Sequence, residues 1–228
     1  MKLLLFDIDG TLLMTHGIGR IALEEALQTV LDRPLSTGSI RFAGKTDRQI
    51  LREVFKLINA DPEGDAFQEV LDVYTANMQA MLTPEGVKVL PGVPALLSYL
   101  HDLPDIQLAL LTGNMHATAV AKLAAVGLDH FFPFGGFGSD HEDRYQLPAL
   151  VVDRALRHTG HTFVGKDVVI IGDTEHDIRC GRAINAFSVG VCTGHYRREE
   201  LAAHQPDALL DDLNDLPHFT QIIGASSV

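Results

Sequence analysis

The stretch LLLFDIDGT, at positions 3–11, decides the fold, because it joins a buried strand directly to a pair of acids. Its first four residues are apolar without alternation, which is typical of a parallel strand covered on both faces. Asp7 and Asp9 follow at once, and Gly10 and Thr11 come after them. Ligands of an open α/β sheet bind outside the carboxyl ends of its strands. The stretch therefore predicts a central strand with chemistry at its end.

Further apolar runs have the same continuous character, and helical patterns separate most of them. The predicted strands are Leu3–Phe6, Gln107–Leu111, Val168–Ile171 and Phe187–Val191, with a weaker one at Ala208–Leu210. Apolar residues three and four apart predict helices at Val93–His101, Met115–Val126, Leu147–His158 and Thr174–Ile184. The alternation of strand and helix predicts a doubly wound, mainly parallel α/β sheet of the Rossmann-like kind.

Residues 14–85 interrupt this alternation. They contain helical patterns at Ile18–Leu31, Asp47–Ile58 and Gly64–Met81 and no convincing strand pattern. We expect a small all-helical domain, residues 14–85, inserted after the first strand of a core formed by residues 1–13 and 86–228. Thr46 is expected to begin the second of these helices as its N-cap, with Gln49 completing a capping box.

The composition narrows the class of protein. The chain has 228 residues, and its 18 basic and 30 acidic side chains give a net charge of −12. An acidic chain of this kind argues against a nucleic-acid partner, although a local site can still attract a small anion. Cys180 and Cys192 have neither metal-site spacing nor a disulfide framework, which predicts a reducing compartment. We expect a cytoplasmic monomer or homodimer without a membrane partner.

Polar residues follow three of the predicted strands, so they are expected at one edge of the sheet. These residues are Asp7 and Asp9, then Thr112, Gly113 and Asn114, then Asp173 and Asp177. Carboxylates that close raise one another's pKa, and a bound divalent cation keeps them ionised. All-oxygen ligands favour Mg²⁺. The set predicts phosphoryl transfer through an aspartyl-phosphate. Asn114 is the expected N-cap of the helix that follows it.

The motifs DIDGT, LLTGN and IIGDTEHDI, in this order and with a helical insert after the first, resemble the haloacid dehalogenase superfamily. Among its branches the chain is similar to the phosphoglycolate phosphatase-like enzymes with a helical cap. The resemblance extends from Leu3 to about Val191. It implies a Mg²⁺-dependent hydrolase acting on a small phosphorylated metabolite, with residues 14–85 as the cap.

The resemblance also implies a role for each acid. Asp7 would be the nucleophile that takes the phosphoryl group, and Asp9 would protonate the leaving oxygen and then activate water. Mg²⁺ would be held by the Asp7 carboxylate, the Asp9 backbone carbonyl and Asp173. Asp177 would support the metal through water or orient a neighbour. The phosphoryl group would be bound by the Thr112 hydroxyl and the amides of Gly113 and Asn114.

Two sets of basic residues complete the predicted site. The family usually places a lysine between the second and last motifs, but no lysine lies between Lys122 and Lys166 here. Arg144 is the expected substitute, although a guanidinium does not reproduce the geometry of an ammonium group. In the cap, we expect Lys45 and Arg48 to bind a carboxylate or second polar group of the substrate.

Three other functions remain open from the sequence. A sugar-phosphate mutase of the β-phosphoglucomutase kind would have to protect its phosphorylated aspartate from water, and no feature indicates that protection. A phosphonate hydrolase would need a cap lysine that forms a Schiff base, for which Lys45 is the candidate. A catalytically silent family member would act as a binding protein, which the intact set of four aspartates argues against.

Overall fold

Residues 1–225, which the computed structural model describes, form eight strands and nine α-helices. The strands are β1 (Lys2–Phe6), β2 (Leu13–Met14), β3 (Lys88–Val89), β4 (Ile106–Leu111), β5 (Gly135–Gly136), β6 (Val168–Gly172), β7 (Phe187–Val191) and β8 (Ala208–Leu210). The helices are α1 (Ile18–Leu31), α2 (Asp47–Leu57), α3 (Asp65–Met81), α4 (Val93–His101), α5 (His116–Ala124), α6 (Leu147–Thr159), α7 (Glu175–Ala183), α8 (Arg198–Ala203) and α9 (Leu216–Ile223).

Six strands form one sheet in the order β5-β4-β1-β6-β7-β8, and every neighbouring pair is parallel. The predicted α/β class with a doubly wound parallel sheet is therefore confirmed. All five predicted strands and all seven predicted helices are present, with ends that differ by at most two residues. Strand β5 was not predicted, because two glycines carry no pattern of hydrophobicity. Helices α8 and α9 were also missed.

Strand β1 lies at the centre of the sheet, between β4 and β6, and is buried on both faces. Leu4 and Phe6 pack in the apolar cluster on one face, and Leu3 and Leu5 pack in the cluster on the other. Because successive side chains of a strand point to opposite faces, an uninterrupted apolar run is what this position requires. The run ends where β1 reaches the carboxyl edge of the sheet.

Helices α1, α2 and α3 share an apolar cluster of their own, in which Leu27, Leu51, Phe55 and Leu71 are fully buried. Two short strands lie where the chain leaves the sheet and returns to it. Strands β2 and β3 pair antiparallel, with Leu13 opposite Val89. This ribbon corrects the expectation that residues 14–85 contain no strand, since β2 includes Met14. Strands of two residues are too short to show periodicity.

Helix α2 begins with the predicted capping box. The Thr46 hydroxyl accepts a hydrogen bond from the Gln49 amide at 3.1 Å, and the Gln49 side chain accepts one from the Thr46 amide at 3.1 Å. The same hydroxyl donates to the Glu142 carbonyl at 2.8 Å. Glu142 lies in the loop after β5, so one side chain begins a helix of the insert and also ties it to the sheet domain.

Replacing Thr46 with alanine should lower the free energy of unfolding by about 1–2 kcal/mol, because a cap and a buried hydrogen bond are lost together. Urea unfolding would measure the difference. Thr29→Ala is the matched control, since the exposed Thr29 hydroxyl donates only to the Glu25 carbonyl within α1. A loss no larger than that of Thr29→Ala would contradict the double role of Thr46.

Candidate active site

The turn after β1 separates the two acids of the first motif. The Asp7 amide donates to the Ile171 carbonyl at 3.0 Å, which continues the pairing of β1 with β6. The chain then folds back tightly, and Gly10 takes a positive φ of 84°. A Cβ atom at Gly10 would lie 2.4 Å from a carboxylate oxygen of Asp173. A side chain at this position would therefore displace an acid of the site.

Asp7, Asp173 and Asp177 form a buried acidic cluster, in which one oxygen from each lies within 4.8 Å of the others. Burial raises the pKa of Asp7 to about 7, with Arg144 opposing the rise and Asp177 and Asp9 adding to it. Burial, together with Asp7 and Asp177, holds the pKa of Asp173 well above its usual range. Three converging carboxylate oxygens suit a hard divalent cation such as Mg²⁺, which would favour the ionised forms of Asp7 and Asp173.

Arg144 lies in the middle of these acids and is 3% exposed. Its guanidinium is 3.2 Å from the Asp7 carboxylate and makes an ion pair with Asp177. Although burial opposes its charge, Asp177 and Asp7 hold the pKa of Arg144 well above its usual value. Among residues 1–225, its Nε finds no hydrogen-bond partner. The guanidinium therefore retains a buried donor for an anion.

Asp177 uses both of its oxygens on donors from the protein. One oxygen accepts from the Thr174 amide at 3.0 Å and from the Thr174 hydroxyl at 2.7 Å, at the start of α7. The other accepts from Arg144. This arrangement makes Asp177 a residue that orients Arg144 as well as a member of the acidic cluster.

The Asp9 side chain meets a different cation, Lys122. The Lys122 ammonium lies 2.8 and 2.7 Å from the two Asp9 oxygens and donates to the Asn114 side-chain carbonyl at 2.6 Å. The Asn114 amide group in turn donates to Asp9 at 2.7 Å and to the Thr112 hydroxyl at 2.8 Å. Asp9 is thus held by an ion pair and an amide.

Sequence reasoning missed Lys122, although a signal was present. The buried face of α5 consists of Thr118, Ala119, Lys122 and Leu123, and Lys122 is 4% exposed. A lysine on the apolar stripe of an amphipathic helix indicates a buried partner of opposite charge. The pattern alone does not identify that partner, since Asp9 lies 113 positions away along the chain.

The prediction that Asn114 caps the following helix is wrong. Helix α5 has Met115 at its N-cap position and no side-chain cap from its own segment. The Met115 amide instead donates to the Asp47 carboxylate of α2 at 2.8 Å. Asn114 is unavailable as a cap because its side chain is already engaged with Asp9, Thr112 and Lys122.

The loop before α2 rests against the segment after β4. The Asp47 amide donates to the Gly113 carbonyl at 2.8 Å, and a Cβ atom at Gly113 would lie 2.1 Å from the Lys45 carbonyl oxygen. Any side chain at Gly113 would therefore push the two segments apart. This contact forms part of the wall of a half-open cavity of about 410 Å³ between the sheet edge and helices α1–α3.

The cavity receives most of the predicted site residues but not all of them. It is lined by Asp7, Asp9, Lys45, Thr112, Gly113, Asn114, Arg144 and Asp173. The Lys45 ammonium, however, is paired with Glu53 at 2.7 Å. Arg48 is not among the lining residues, because its guanidinium lies over the Phe67 ring, 5.6 Å from the centroid. The structure thus places Lys45 at the cavity, with its ammonium paired to Glu53, and leaves Arg48 outside the lining.

The sequence profile of the haloacid dehalogenase-like hydrolases matches residues 1–185. The chain belongs to this family. The predicted family and the predicted class of enzyme, a hydrolase, are confirmed by this match. No helix within residues 1–225 has the length and apolar character needed to cross a membrane.

Relatives of the family cover nearly the whole chain. The chain is similar to the pyrophosphatase PpaX of Listeria welshimeri, with 28% identity over 215 residues and 93% of each chain covered. It is also similar to the phosphoglycolate phosphatase of Colwellia psychrerythraea, with 24% identity over 219 residues, which cover 94% of this chain and 95% of that one. A predicted phosphoglycolate phosphatase from Haemophilus somnus has the same fold, with a TM-score of 0.74, 22% identity, and 97% and 98% of the two chains covered.

The acidic cluster should make stability depend on Mg²⁺. A cation that binds only the folded chain stabilises it by about 2.7 kcal/mol at a concentration one hundred times its Kd, so Tm should rise as Mg²⁺ is added. Asp173→Asn removes a buried charge, and we expect it to raise Tm without metal while abolishing the Mg²⁺-dependent rise. Differential scanning calorimetry with and without EDTA measures both effects.

The exposed Asp153 of α6 provides the matched control for that experiment. Asp153→Asn should keep the full response to Mg²⁺. A Mg²⁺-dependent rise of equal size in Asp173→Asn and in the unchanged chain would show that the cation binds elsewhere.

Proposed function

We propose that this protein is a Mg²⁺-dependent phosphomonoester hydrolase that acts on a small phosphorylated metabolite through an aspartyl-phosphate on Asp7. The observation that carries the proposal is the convergence of Asp7, Asp173 and Asp177 around the buried guanidinium of Arg144, which keeps a free donor. A structural ion cluster would have no need of that donor. A half-open cavity at the same edge gives a substrate room to bind.

The residues around the cluster divide between the metal and the phosphoryl group. The carboxylates of Asp7 and Asp173 and the backbone carbonyl of Asp9 would hold Mg²⁺, while Asp177 orients Arg144. When bound, Mg²⁺ offsets the negative charge of the phosphoryl oxygens. Thr112, Gly113 and Asn114 bind the same oxygens from the β4 side of the cavity.

The reaction proceeds in two displacements. An Asp7 oxygen attacks phosphorus and the bond from phosphorus to the ester oxygen breaks, while Asp9 gives that oxygen its proton. Asp9 then removes a proton from water. The water oxygen attacks phosphorus, the bond to Asp7 breaks, and inorganic phosphate leaves. The different cation partners of Asp7 and Asp9 suit these separate tasks.

Arg144 takes the place of the lysine that the family usually has. Its Nε donates to an oxygen of the bound phosphoryl group, which supplies the partner that this buried atom lacks. Lys122 has a second role, since its ammonium holds the Asp9 carboxylate in one orientation. Each of the two acids thus has its own cation.

The proposal also divides the chain into two domains. Residues 14–85 act as a cap over a core of residues 1–13 and 86–228, and the cap supplies one wall of the cavity. The separate apolar cluster of α1, α2 and α3 and the ribbon of β2 and β3 support this division.

Asp7→Asn tests the proposal directly. We expect release of phosphate from p-nitrophenyl phosphate to fall at least about a thousandfold, because an amide is a poor nucleophile. The variant should remain folded, since asparagine is nearly isosteric and removes a buried charge. Asp153→Asn serves as the control, and EDTA should abolish the activity of the unchanged protein. Full activity in Asp7→Asn, or activity that EDTA does not affect, would defeat the proposal.

Arg144→Lys tests the proposed phosphate contact. Lysine keeps the positive charge but loses the planar donor geometry, so we expect kcat/KM to fall by about ten- to a hundredfold while the fold is retained. Arg144→Met should be worse, because Asp7 and Asp177 lose their cation, and we expect a loss of about 3–5 kcal/mol of stability. Steady-state kinetics and urea unfolding measure these two effects.

Arg154 gives the control for the arginine variants, because it donates to Asp140 outside the site. Arg154→Lys should keep kcat/KM. If Arg144→Lys also keeps kcat/KM, then the guanidinium at position 144 has no part in binding the phosphoryl group.

A further inference from the structure

The cap side of the cavity carries a carboxylate that the proposed reaction does not use. Asp47, the first residue of α2, lines the cavity together with Tyr74 of α3. Its carboxylate accepts one hydrogen bond from the Met115 amide at 2.8 Å and another from the Tyr74 hydroxyl at 3.2 Å. A carboxylate has about four acceptor positions, so capacity for further donors remains.

Asp47 has no cation of its own. No basic side chain of residues 1–225 lies within ion-pair distance of its carboxylate. Burial raises the pKa of Asp47 to about 6, while Lys122 and the Met115 amide oppose the rise. The group is therefore ionised at neutral pH and sits in a place where negative charge is poorly solvated.

Each lysine and arginine side chain that lines the cavity contacts a protein acceptor, and two histidines, His16 and His195, line it as well. Lys45 is paired with Glu53, and the three bonds of the Lys122 ammonium go to Asp9 and Asn114. Arg20 donates to the hydroxyl and carbonyl of Thr37 and to the Ile40 carbonyl. Arg144 lies among the acids of the sheet edge. The cap wall thus offers the open acceptor positions of Asp47, while its Lys45 and Arg20 each have an acceptor within the protein.

We infer that Asp47 selects the leaving group of the substrate: a small alcohol that donates a hydrogen bond to this carboxylate, through a hydroxyl or ammonium group, and carries no negative charge. The inference rests on the proposed hydrolase function. A carboxylate or a second phosphate beside Asp47 would be repelled in a site of low polarity. Phosphoglycolate and pyrophosphate, which the names of the two relatives indicate, are therefore expected to be poor substrates of this chain.

The experiment compares four substrates of similar size in the presence of Mg²⁺. Glycerol phosphate presents hydroxyl groups and phosphoethanolamine an ammonium group, whereas phosphoglycolate and pyrophosphate present an anion. We expect kcat/KM for the better of the first two to exceed that for either anionic substrate at least about tenfold, the scale of one hydrogen bond to a charged group. The relative rates of the first two distinguish a hydroxyl from an ammonium group.

Asp47→Asn removes the charge and keeps the shape of the side chain. In this variant we expect the ratio of kcat/KM between donor-bearing and anionic substrates to fall at least about tenfold. Asp65→Asn is the matched control, because Asp65 is likewise the first residue of a cap helix but is exposed and outside the cavity. It should leave the ratio unchanged. Thermal unfolding verifies that both variants are folded.

The possible outcomes separate this inference from the proposed function. An unchanged protein that prefers an anionic substrate would overturn the inference, and this result needs no variant. An equal loss for all four substrates in Asp47→Asn would also overturn it, because Asp47 would then act only through the Met115 contact. Absence of Mg²⁺-dependent phosphate release from all four and from p-nitrophenyl phosphate would defeat the proposed function itself.

Discussion

The ion pairs of Arg144 neutralise part of the negative charge of the aspartates at the carboxyl edge of the sheet, and the rest of the site depends on this neutralisation. Strands β1 and β6 are neighbours, so the acids that follow them are brought together whatever their charge. Three buried carboxylates then face one buried guanidinium. Taking such groups out of water is costly, and their mutual attraction offsets that cost only in part. The pKa values of Asp7 and Asp173 are raised because Arg144 does not fully offset burial and the repulsion between the aspartates. A divalent cation would offset the remainder.

The fold could be predicted from the sequence to the extent that local pattern determines it. The apolar run of β1 and the helical period of α1 and α4 give element ends that agree with the structure to within one residue. The acids of the site could be predicted because the carboxyl ends of parallel strands must meet at one edge. The short strands β2, β3 and β5 could not, since their pairing is determined by neighbours in space.

Lys122 and Asp47 escaped prediction for a related physical reason. Lys122 lies on the buried side of α5, and Asp47 is the first residue of α2. At either position a local sequence pattern permits several interpretations of a charged residue. Their partners are Asp9 and the Met115 amide, and each pair joins segments at least 68 positions apart. What determines their role is the docking of α2 on the segment after β4. That docking depends in turn on Gly113, whose missing side chain leaves no trace in hydrophobic periodicity.

Two acids of one motif acquire two different cations because the chain leaves the line of β1 at Ile8, which lies between them. Asp7 remains in line with β1 and meets Arg144, which lies on the side of α7. Asp9 lies past the end of the strand and meets Lys122 on α5. The arginine and the lysine are therefore best understood as complementary, since each fixes the direction of one acid.

The hydrogen bond between the Met115 amide and Asp47 connects the docking of α2 with the negative charge of the cavity wall. The bond from the Met115 amide exists only when α2 rests on the sheet domain, and the same contact removes the carboxylate from water. Burial of an ionised group is unfavourable unless donors surround it. The Met115 amide and the Tyr74 hydroxyl supply two donors. A ligand that supplies another donor would be favoured beside Asp47, whereas an anion would be opposed, so the docking of α2 and the proposed discrimination among substrates depend on one carboxylate.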